Sequence, residues 1–149
     1  MKAQKPILIL ILLIVTILTS CTGSKSIAPK LILTPTKAAL IGKVYTTYTG
    51  KPQPLTGTVV RLAKVFWNTD KTDGAFVLEG GSSPSAITNQ DGEFTFGNIN
   101  PADYVIVVGD AEGDNEIIAQ SNGKAKIYTV ESDKILDVGT LEVKLRPSQ

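Results

Sequence analysis

Residues 38–145 form a series of short segments in which apolar and polar side chains alternate. In segment 93–96, two phenylalanines fall on one side of an extended chain, and a glutamate and a threonine fall on the other. Val60 and Leu62 alternate with Arg61 in the same way. This two-residue period predicts strands at residues 39–47, 58–65, 75–78, 85–88, 93–96, 104–108, 117–119, 126–130 and 138–145.

Turn-forming residues separate these segments and indicate the fold class. Clusters of Gly, Pro, Asn and Asp recur between the strands, and no window has the period of an amphipathic helix. The sequence therefore predicts an all-β fold, an antiparallel Greek-key β-sandwich of about seven to nine strands, preceded by a signal peptide and a short linker. Tyr104, Ile106 and Val108 are expected to face its core, and Gly139 is expected to mark a bulge or a change of register.

Stretch 89–92, with the sequence NQDG, has two interpretations. An Asp-Gly pair between strands is typical of a tight turn, because glycine takes a positive φ without steric cost. The alternative is a calcium-binding loop, and calcium takes about six to eight oxygen ligands. Only Asp91 and Glu93 supply carboxylates here, so we expect a turn.

Two adjacent aromatic residues, Phe66 and Trp67, are candidates for a ligand-binding surface. They lie in stretch 64–84, which is long for a strand connection and predicts an elongated hairpin. Because consecutive strand residues point to opposite faces, one of the two is expected to leave the core and to be available to a sugar or a peptide. The alternative is that Trp67 covers an edge of the core.

Stretch 110–116 is the densest acidic segment and the candidate metal site. Asp110, Glu112, Asp114 and Glu116 follow a predicted strand and therefore lie in a loop. The loop is either a solvated connection or a calcium site, and charge density alone supports the calcium site.

Composition narrows the function classes. The chain has 149 residues with 15 basic and 14 acidic side chains, so it offers no basic field for nucleic acid. It contains no histidine, which excludes Ser-His-Asp and Cys-His catalysis and every histidine-containing zinc site. Carboxylate pairs and lysines remain as catalytic groups, but the sequence indicates no cleft, and we expect no enzyme.

The N-terminal segment carries targeting information. Lys2 and Lys5 precede an apolar run at residues 7–18, which has the length of a signal-peptide core and is shorter than the ~20 residues of a membrane-spanning helix. The sequence Leu-Thr-Ser-Cys then ends at Cys21, the one cysteine of the chain. It resembles the lipobox of bacterial lipoproteins, which implies cleavage before Cys21 and a diacylglycerol on its sulfur, with palmitate as a typical acyl chain. An uncleaved anchor helix and a secreted protein with an incidental cysteine are the alternatives.

The sequence thus predicts three segments: a lipoprotein signal peptide at 1–20, a lipidated tether at 21–37 and a β-sandwich domain at 38–146. The lipoprotein resemblance implies a location on the extracytoplasmic face of the cell membrane or the outer membrane. The membrane is then one partner, through the lipid, and envelope proteins or glycans are further candidates. We expect no cofactor other than the covalent diacylglycerol on Cys21. A calcium ion is the alternative, at the acidic stretches described above.

Stretch 86–108 is similar to the carboxypeptidase regulatory-like domain. The shared features are a polar turn ending in Asp-Gly, an aromatic-x-aromatic strand at Phe94 and Phe96, and a proline corner leading to Tyr104 and an apolar strand. The resemblance implies a transthyretin-like β-sandwich, related to the collagen-adhesin B-type modules, that serves as a non-catalytic surface or interaction module. The family has glycine after the corner proline, whereas this chain has Ala102, which predicts a type I turn or a displaced corner.

Overall fold

The computed structural model describes residues 31–79 and 81–147, which are all-β. Within these ranges no helix is both long and apolar enough to span a membrane. Ten strands follow one another along the chain: β1 (Ala38–Thr46), β2 (Gln53–Pro54), β3 (Val59–Trp67), β4 (Gly74–Val77), β5 (Ser85–Ile87), β6 (Glu93–Ile99), β7 (Ala102–Gly109), β8 (Asn115–Ile117), β9 (Ile127–Val130) and β10 (Ile135–Val143). Eight of the nine sequence-predicted strands are confirmed, the ninth, predicted at residues 117–119, overlaps β8 only at Ile117, and β2 is added.

The strands form two sheets that pack as a sandwich, as predicted. In the first sheet β1 lies between β10 on one side and β6 and β2 on the other. In the second sheet β3 and β7 are adjacent, β4 and β5 follow each other along the free side of β3, and β8 and β9 do the same along β7. All pairs are antiparallel except β1 with β10, which is parallel.

The predicted irregularity in the last strand is a β-bulge. Ile41 pairs with Asp137 and Lys43 pairs with Thr140, so two residues of β10 lie opposite one residue of β1. Gly139 takes a φ of +71° there, and its amide donates to Asp137 Oδ1 at 2.8 Å. The bulge changes which residues of β10 face inward, and Leu141 and Val143 are both buried.

The core lies between the two sheets and is formed by the alternation that the sequence shows. Phe94 and Phe96 are each 3% exposed, and their rings meet edge to face with centroids 5.7 Å apart. Val60, Leu62, Tyr104, Ile106 and Val108 face them from the second sheet. Within residues 31–79 and 81–147, every buried core residue lies between Ala38 and Val143, so a fragment of residues 26–149 contains all of them.

Strand β7 is buried on both faces, which the sequence analysis did not predict. Val105 and Val107 point away from the main core and are buried together with Ala63 and Val65. Leu78 and Ala125 pack over this second cluster from the connecting segments. The six consecutive buried residues of β7 therefore reflect its central position, with strands on both edges and cover on both faces.

The end of β6 and its connection to β7, residues 98–101, form a corner that differs from the proline–glycine pattern. The positive φ falls on Asn98, at +54°, instead of on the residue after the proline. The Tyr104 hydroxyl donates to the carbonyl of Asn100 at 2.9 Å and closes the corner. We refer to this side of the sandwich as the corner end.

Residues 34–37 of the predicted tether run along the corner end. The amide of Thr34 donates to Asn98 Oδ1 at 2.7 Å, and the Lys37 ammonium donates to Asn100 Oδ1 at 2.6 Å. The amide of Thr36 donates to Asp133 Oδ1 at 2.9 Å. The chain thus enters β1 along a hydrogen-bonded path beside the corner.

Candidate functional site

Strands β3 and β4 form a hairpin that extends past the corner end. Lys64 pairs with both Tyr104 on β7 and Val77 on β4, and the residues of β3 after Lys64 pair with β4 alone. All four residues of β4 are exposed. The connecting residues 68–73 are closed by an amide-to-carbonyl bond of 2.9 Å from Asn68 to Asp73. This is the elongated hairpin that the sequence predicts.

The two candidate aromatic residues lie on this hairpin but on opposite faces. Phe66 follows Leu62 and Lys64 on the face that continues the main core, and it is 48% exposed. Trp67 follows Val65 on the outer face and is 37% exposed. The structure therefore does not bring Phe66 and Trp67 together in one binding surface.

Trp67 is held in place by its neighbours. Its indole Nε1 donates to Asp103 Oδ2 on β7 at 2.7 Å, and the other carboxylate oxygen of Asp103 accepts a bond of 2.7 Å from the Thr129 hydroxyl on β9. A Cβ built on Gly74 would lie 2.9 Å from Trp67 Cε3, so the indole lies directly over that glycine. Trp67 thus ties the hairpin to the central sheet.

A cleft of about 320 Å³ lies at the corner end, lined on the hairpin side by Lys64 and Val77 and not by Phe66. The cleft is the open mouth between the two sheets, and its floor is apolar, formed by Leu62, Ile99 and the ring of Tyr104. Val77 continues the hairpin wall of the cleft. Lys64, which lines the cleft, holds its ammonium 5.4 Å from the centroid of the Phe66 ring.

The rim of the cleft is polar and comes from three separate segments. The hairpin contributes Lys64, the β4–β5 connection contributes Glu79 with two serines, and the corner contributes Asn98 and Asn100. Glu79 organises its connection: its Oε2 accepts from the Ser82 hydroxyl at 2.5 Å. Burial raises the pKa of the Tyr104 hydroxyl, which already donates to a carbonyl and is part of the floor.

These rim residues were not identified from the sequence, because no local pattern links them. Asn98 and Asn100 read as turn residues, and Glu79 is a single acidic residue beside glycine and serine. The positive φ of Asn98 sets this corner apart, but it can be seen only in the structure. In the sequence, the one local indication of an unusual corner was the proline followed by alanine, where the family has glycine.

The acidic residues of loop 110–116 do not converge on one point. Asp110 Oδ1 accepts from the amide of Glu112 at 3.1 Å, and the Asn115 side chain donates to the carbonyl of Asp110 at 2.9 Å. Glu116 points elsewhere, accepting from the amide of Lys144 at 2.7 Å. Across residues 31–79 and 81–147, no group of three or more acidic or cysteine side chains is placed to hold a metal ion.

Stretch 89–92 is a turn, as predicted, but it joins the two sheets instead of forming a hairpin. It connects β5 of the second sheet to β6 of the first, and Asn89 Oδ1 accepts from the amides of Asp91 and Glu93 at 2.9 and 2.8 Å. The Glu93 carboxylate pairs with the Lys43 ammonium at 2.8 Å. Hydrogen bonds from Lys43 and Asn89 lower the pKa of Glu93, and these bonds engage its carboxylate in holding the turn.

Cys21, the predicted lipidation site, lies outside the described residues, as do the signal peptide and the first part of the tether.

Comparisons with known proteins concern the fold. No protein-family model matches the chain, and no curated protein matches it significantly. Among solved structures, it is similar to a provisionally assigned carbohydrate-binding protein from Pseudomonas aeruginosa (22% identity, 73% of this chain, 90% of that one, TM-score 0.47). It is also similar to the minor pilin GBS52 of Streptococcus agalactiae (16%, 77% and 48%, 0.42) and to a DUF3823 family protein of Parabacteroides merdae (21%, 74% and 47%, 0.39). The chain spans about half the length of these last two proteins.

Proposed function

We propose that this protein is a lipid-anchored, extracytoplasmic module that binds an envelope component without catalysing a reaction, and that the corner end is its binding surface. The observation that carries the proposal is the projecting β3–β4 hairpin. On this hairpin Phe66 and Val77 are 48% and 44% exposed on the face that carries the cleft, and Trp67 and Phe76 are 37% and 38% exposed on the opposite face. A group of large apolar side chains next to a concave, polar-rimmed surface is typical of an interaction site.

We propose binding without catalysis because of the side chains that the protein offers. The chain has no histidine to act as a general base near neutral pH. The charged groups that line the cleft are one ammonium, on Lys64, and one carboxylate, on Glu79. A binding role requires no reactive group, and it agrees with the apolar floor and the polar rim of the cleft.

The anchor is proposed from the sequence. Cys21 follows an apolar run at lipobox spacing and is the one thiol in the chain. Growth of the producing cells with an alkyne-tagged palmitate should label the full chain, and Cys21→Ser should remove the label. A labelled Cys21→Ser variant would show that the lipid is not on this residue.

The binding surface is tested with isolated cell envelopes of the source bacterium. The fragment of residues 26–149 should sediment with the envelopes, and a Phe66→Ser/Phe76→Ser double variant should lose about tenfold or more in affinity, as is typical when aromatic anchors are removed. Both side chains are well exposed, so the fold should survive, which circular dichroism and thermal melting verify.

Ile87→Ser is the matched control. Ile87 is 69% exposed and pairs with Val59, at the opposite end of β3 from the hairpin. It should bind envelopes like the unmodified fragment. Equal binding by the double variant, or no sedimentation of the unmodified fragment, would exclude the corner end as the binding surface.

A further inference from the structure

We infer that the open edge of β4 (Gly74–Val77) binds an extended peptide segment of an envelope protein, which joins the second sheet as an added strand. The inference rests on the proposed function and names the chemical class of the partner. It assigns the contact to the backbone of the β3–β4 hairpin together with the apolar side chains on both of its faces.

The first argument is the backbone of β4, which pairs with β3 and with no other strand among the described residues. Bonded and non-bonded residue pairs alternate along an antiparallel ladder, and the amide of Asn68 donates to the carbonyl of Asp73 at 2.9 Å. Gly74 and Phe76, at the next non-bonded positions, therefore direct their backbone groups to the open side. Asp73 Oδ1 accepts from the amide of Gly74 at 2.9 Å, so the edge offers two carbonyls and the amide of Phe76.

The second argument is that this edge lacks protection. Natural sheet edges carry charged residues, prolines or bulges, or they are covered by another segment. Strand β4 has the sequence Gly-Ala-Phe-Val, its register with β3 is regular, and all four of its residues are exposed. Strand β10, at the end of the first sheet, has the bulge at Gly139 and the charged residues Asp137 and Glu142. Of these two edges, only that of β4 is open to another strand.

The N-terminal segment distinguishes β4 from β6, which also lines the cleft and also has an edge without a partner strand. The amide of Thr34 donates to Asn98 Oδ1 at 2.7 Å, and a Cβ built on Gly97 would lie 3.3 Å from Leu31 Cδ1. Residues 31–34 therefore already lie against the last part of β6 and hinder the addition of a strand there.

The third argument is that large apolar side chains are exposed on both faces of the hairpin. Phe66 and Val77 are 48% and 44% exposed on the face that carries the cleft, and Trp67 and Phe76 are 37% and 38% exposed on the opposite face. A membrane or a flat surface contacts one of these faces at a time. A strand added beside β4 directs successive side chains to alternate faces and so reaches both. We therefore expect a partner segment with consecutive apolar residues.

Charge favours a partner protein over a second copy of this chain. Phe76 exchanges both of its backbone bonds in a two-fold pair of β4 strands that is centred on it. That pair would place Asp73 of one copy opposite Glu79 of the other, because each lies three residues from Phe76. The contact would occur twice by symmetry, and like charges directly opposite each other destabilise a strand pair. A segment of another protein avoids this repulsion when it has no acidic residue at these positions.

The first experiment is the envelope-sedimentation assay with the fragment of residues 26–149 and pretreated envelopes. Digestion of the envelope proteins with a protease, which is then inactivated and washed out, should weaken binding at least about tenfold. Periodate cleaves saccharides between neighbouring hydroxyls, and borohydride then reduces the aldehydes so that they do not react with lysines. Envelopes treated in this second way should bind the fragment normally.

A comparison of Phe76→Pro with Phe76→Ala isolates the backbone amide. Both variants lose the ring, and proline also loses the outward N–H, at a position where an edge strand tolerates proline. Phe76→Pro should bind envelopes about fivefold more weakly than Phe76→Ala, as expected for the loss of one hydrogen bond. Thermal melting verifies that both variants are folded.

Ile87 on β5 supplies the matched control. The amide of Thr88 donates to the carbonyl of Thr58 at 3.0 Å, so the amide of Ile87, one residue earlier, is also directed away from β3. Ile87→Pro and Ile87→Ala should bind envelopes equally, because this edge lies at the other end of β3 from the hairpin.

Hydrogen exchange in the unmodified fragment, followed by NMR, tests the same amide without a substitution. In the fragment alone, the amide of Phe76 should exchange rapidly, whereas those of Ala75 and Val77, which face β3, should be protected. Addition of envelope proteins solubilised in detergent should slow exchange at Phe76 at least about tenfold.

Other results overturn the inference in distinguishable ways. Binding that survives protease excludes a protein partner and leaves the proposed function intact. Equal affinities of Phe76→Pro and Phe76→Ala, or no slowing of exchange at Phe76, show that β4 does not receive a strand. A fragment that dimerises alone, through an interface lost in Phe76→Pro, identifies a second copy as the occupant. Absence of any envelope binding by the unmodified fragment removes the proposed function itself.

Discussion

At Gly92 the backbone leaves no space for a side chain. The residue has a φ of +74°, and a Cβ placed on it would lie 2.4 Å from the carbonyl oxygen of Val44. That carbonyl accepts from the amide of Leu55 at 2.9 Å, and the amide of Val44 donates to the carbonyl of Gly92. The Asp-Gly pair that identified a turn in the sequence is therefore also a point of close contact between β1 and the inter-sheet connection.

Gly92→Ala should destabilise the domain more than Gly57→Ala. Gly57 has a similar φ of +67° but no heavy atom within 4 Å of a built Cβ, so alanine there carries the conformational cost alone, about 1–2 kcal/mol. At Gly92 the carbonyl of Val44 must also move, which weakens a hydrogen bond worth about 1 kcal/mol. Urea denaturation of the 26–149 fragment measures both, and equal losses would show that the close contact relaxes without cost.

At the scale of elements, most strands were predictable and their partners were not. The alternation around Phe94 and Leu62 depends only on which side chains face the core, so it is visible in the sequence. Strand β2 has two residues, too few to show a period. The parallel contact of β1 with β10 joins segments almost 100 residues apart, and the apolar alternation of either strand fits a neighbour running in either direction.

The turn at 89–92 shows the same limit. Its residues predict a chain reversal, and the reversal occurs, but whether the next strand joins the same sheet or the opposite one depends on distant contacts. Glu93 pairs with Lys43 because β6 lies beside β1, a neighbour that the local sequence does not specify.

Loop 110–116 is expected to be a solvated connection without a bound cation. Its carboxylates accept hydrogen bonds from separate backbone amides, as at Asp110 and Glu116, and do not share one centre. The melting temperature of the 26–149 fragment should therefore be the same, within about 1 °C, in millimolar calcium and in EDTA. A rise of several degrees with calcium would contradict this, because a ligand that binds the folded state raises its stability.

At the scale of the whole molecule, the candidate site was only partly predictable. Phe66 was identified because exposed aromatic residues are conspicuous in a hydrophilic stretch. The rim of the nearby cleft comes from Glu79, residues 82–84 and residues 98–100, which become neighbours only when the two sheets pack. The sequence analysis expected one of Phe66 and Trp67 to leave the core, and in the structure both are partly exposed, on opposite faces of the hairpin.

The parallel pairing of β1 with β10 has a mechanical consequence. The chain enters β1 at the corner end and leaves β10 at the other end, so a pull on the two ends of the domain acts along these adjacent strands in opposite directions. Such a force loads the hydrogen bonds from Ala39 to Thr46 in shear, all at once, instead of opening them one after another. A domain fixed to a surface through its N-terminal side and pulled from its C-terminal side would resist extension through this single strand pair.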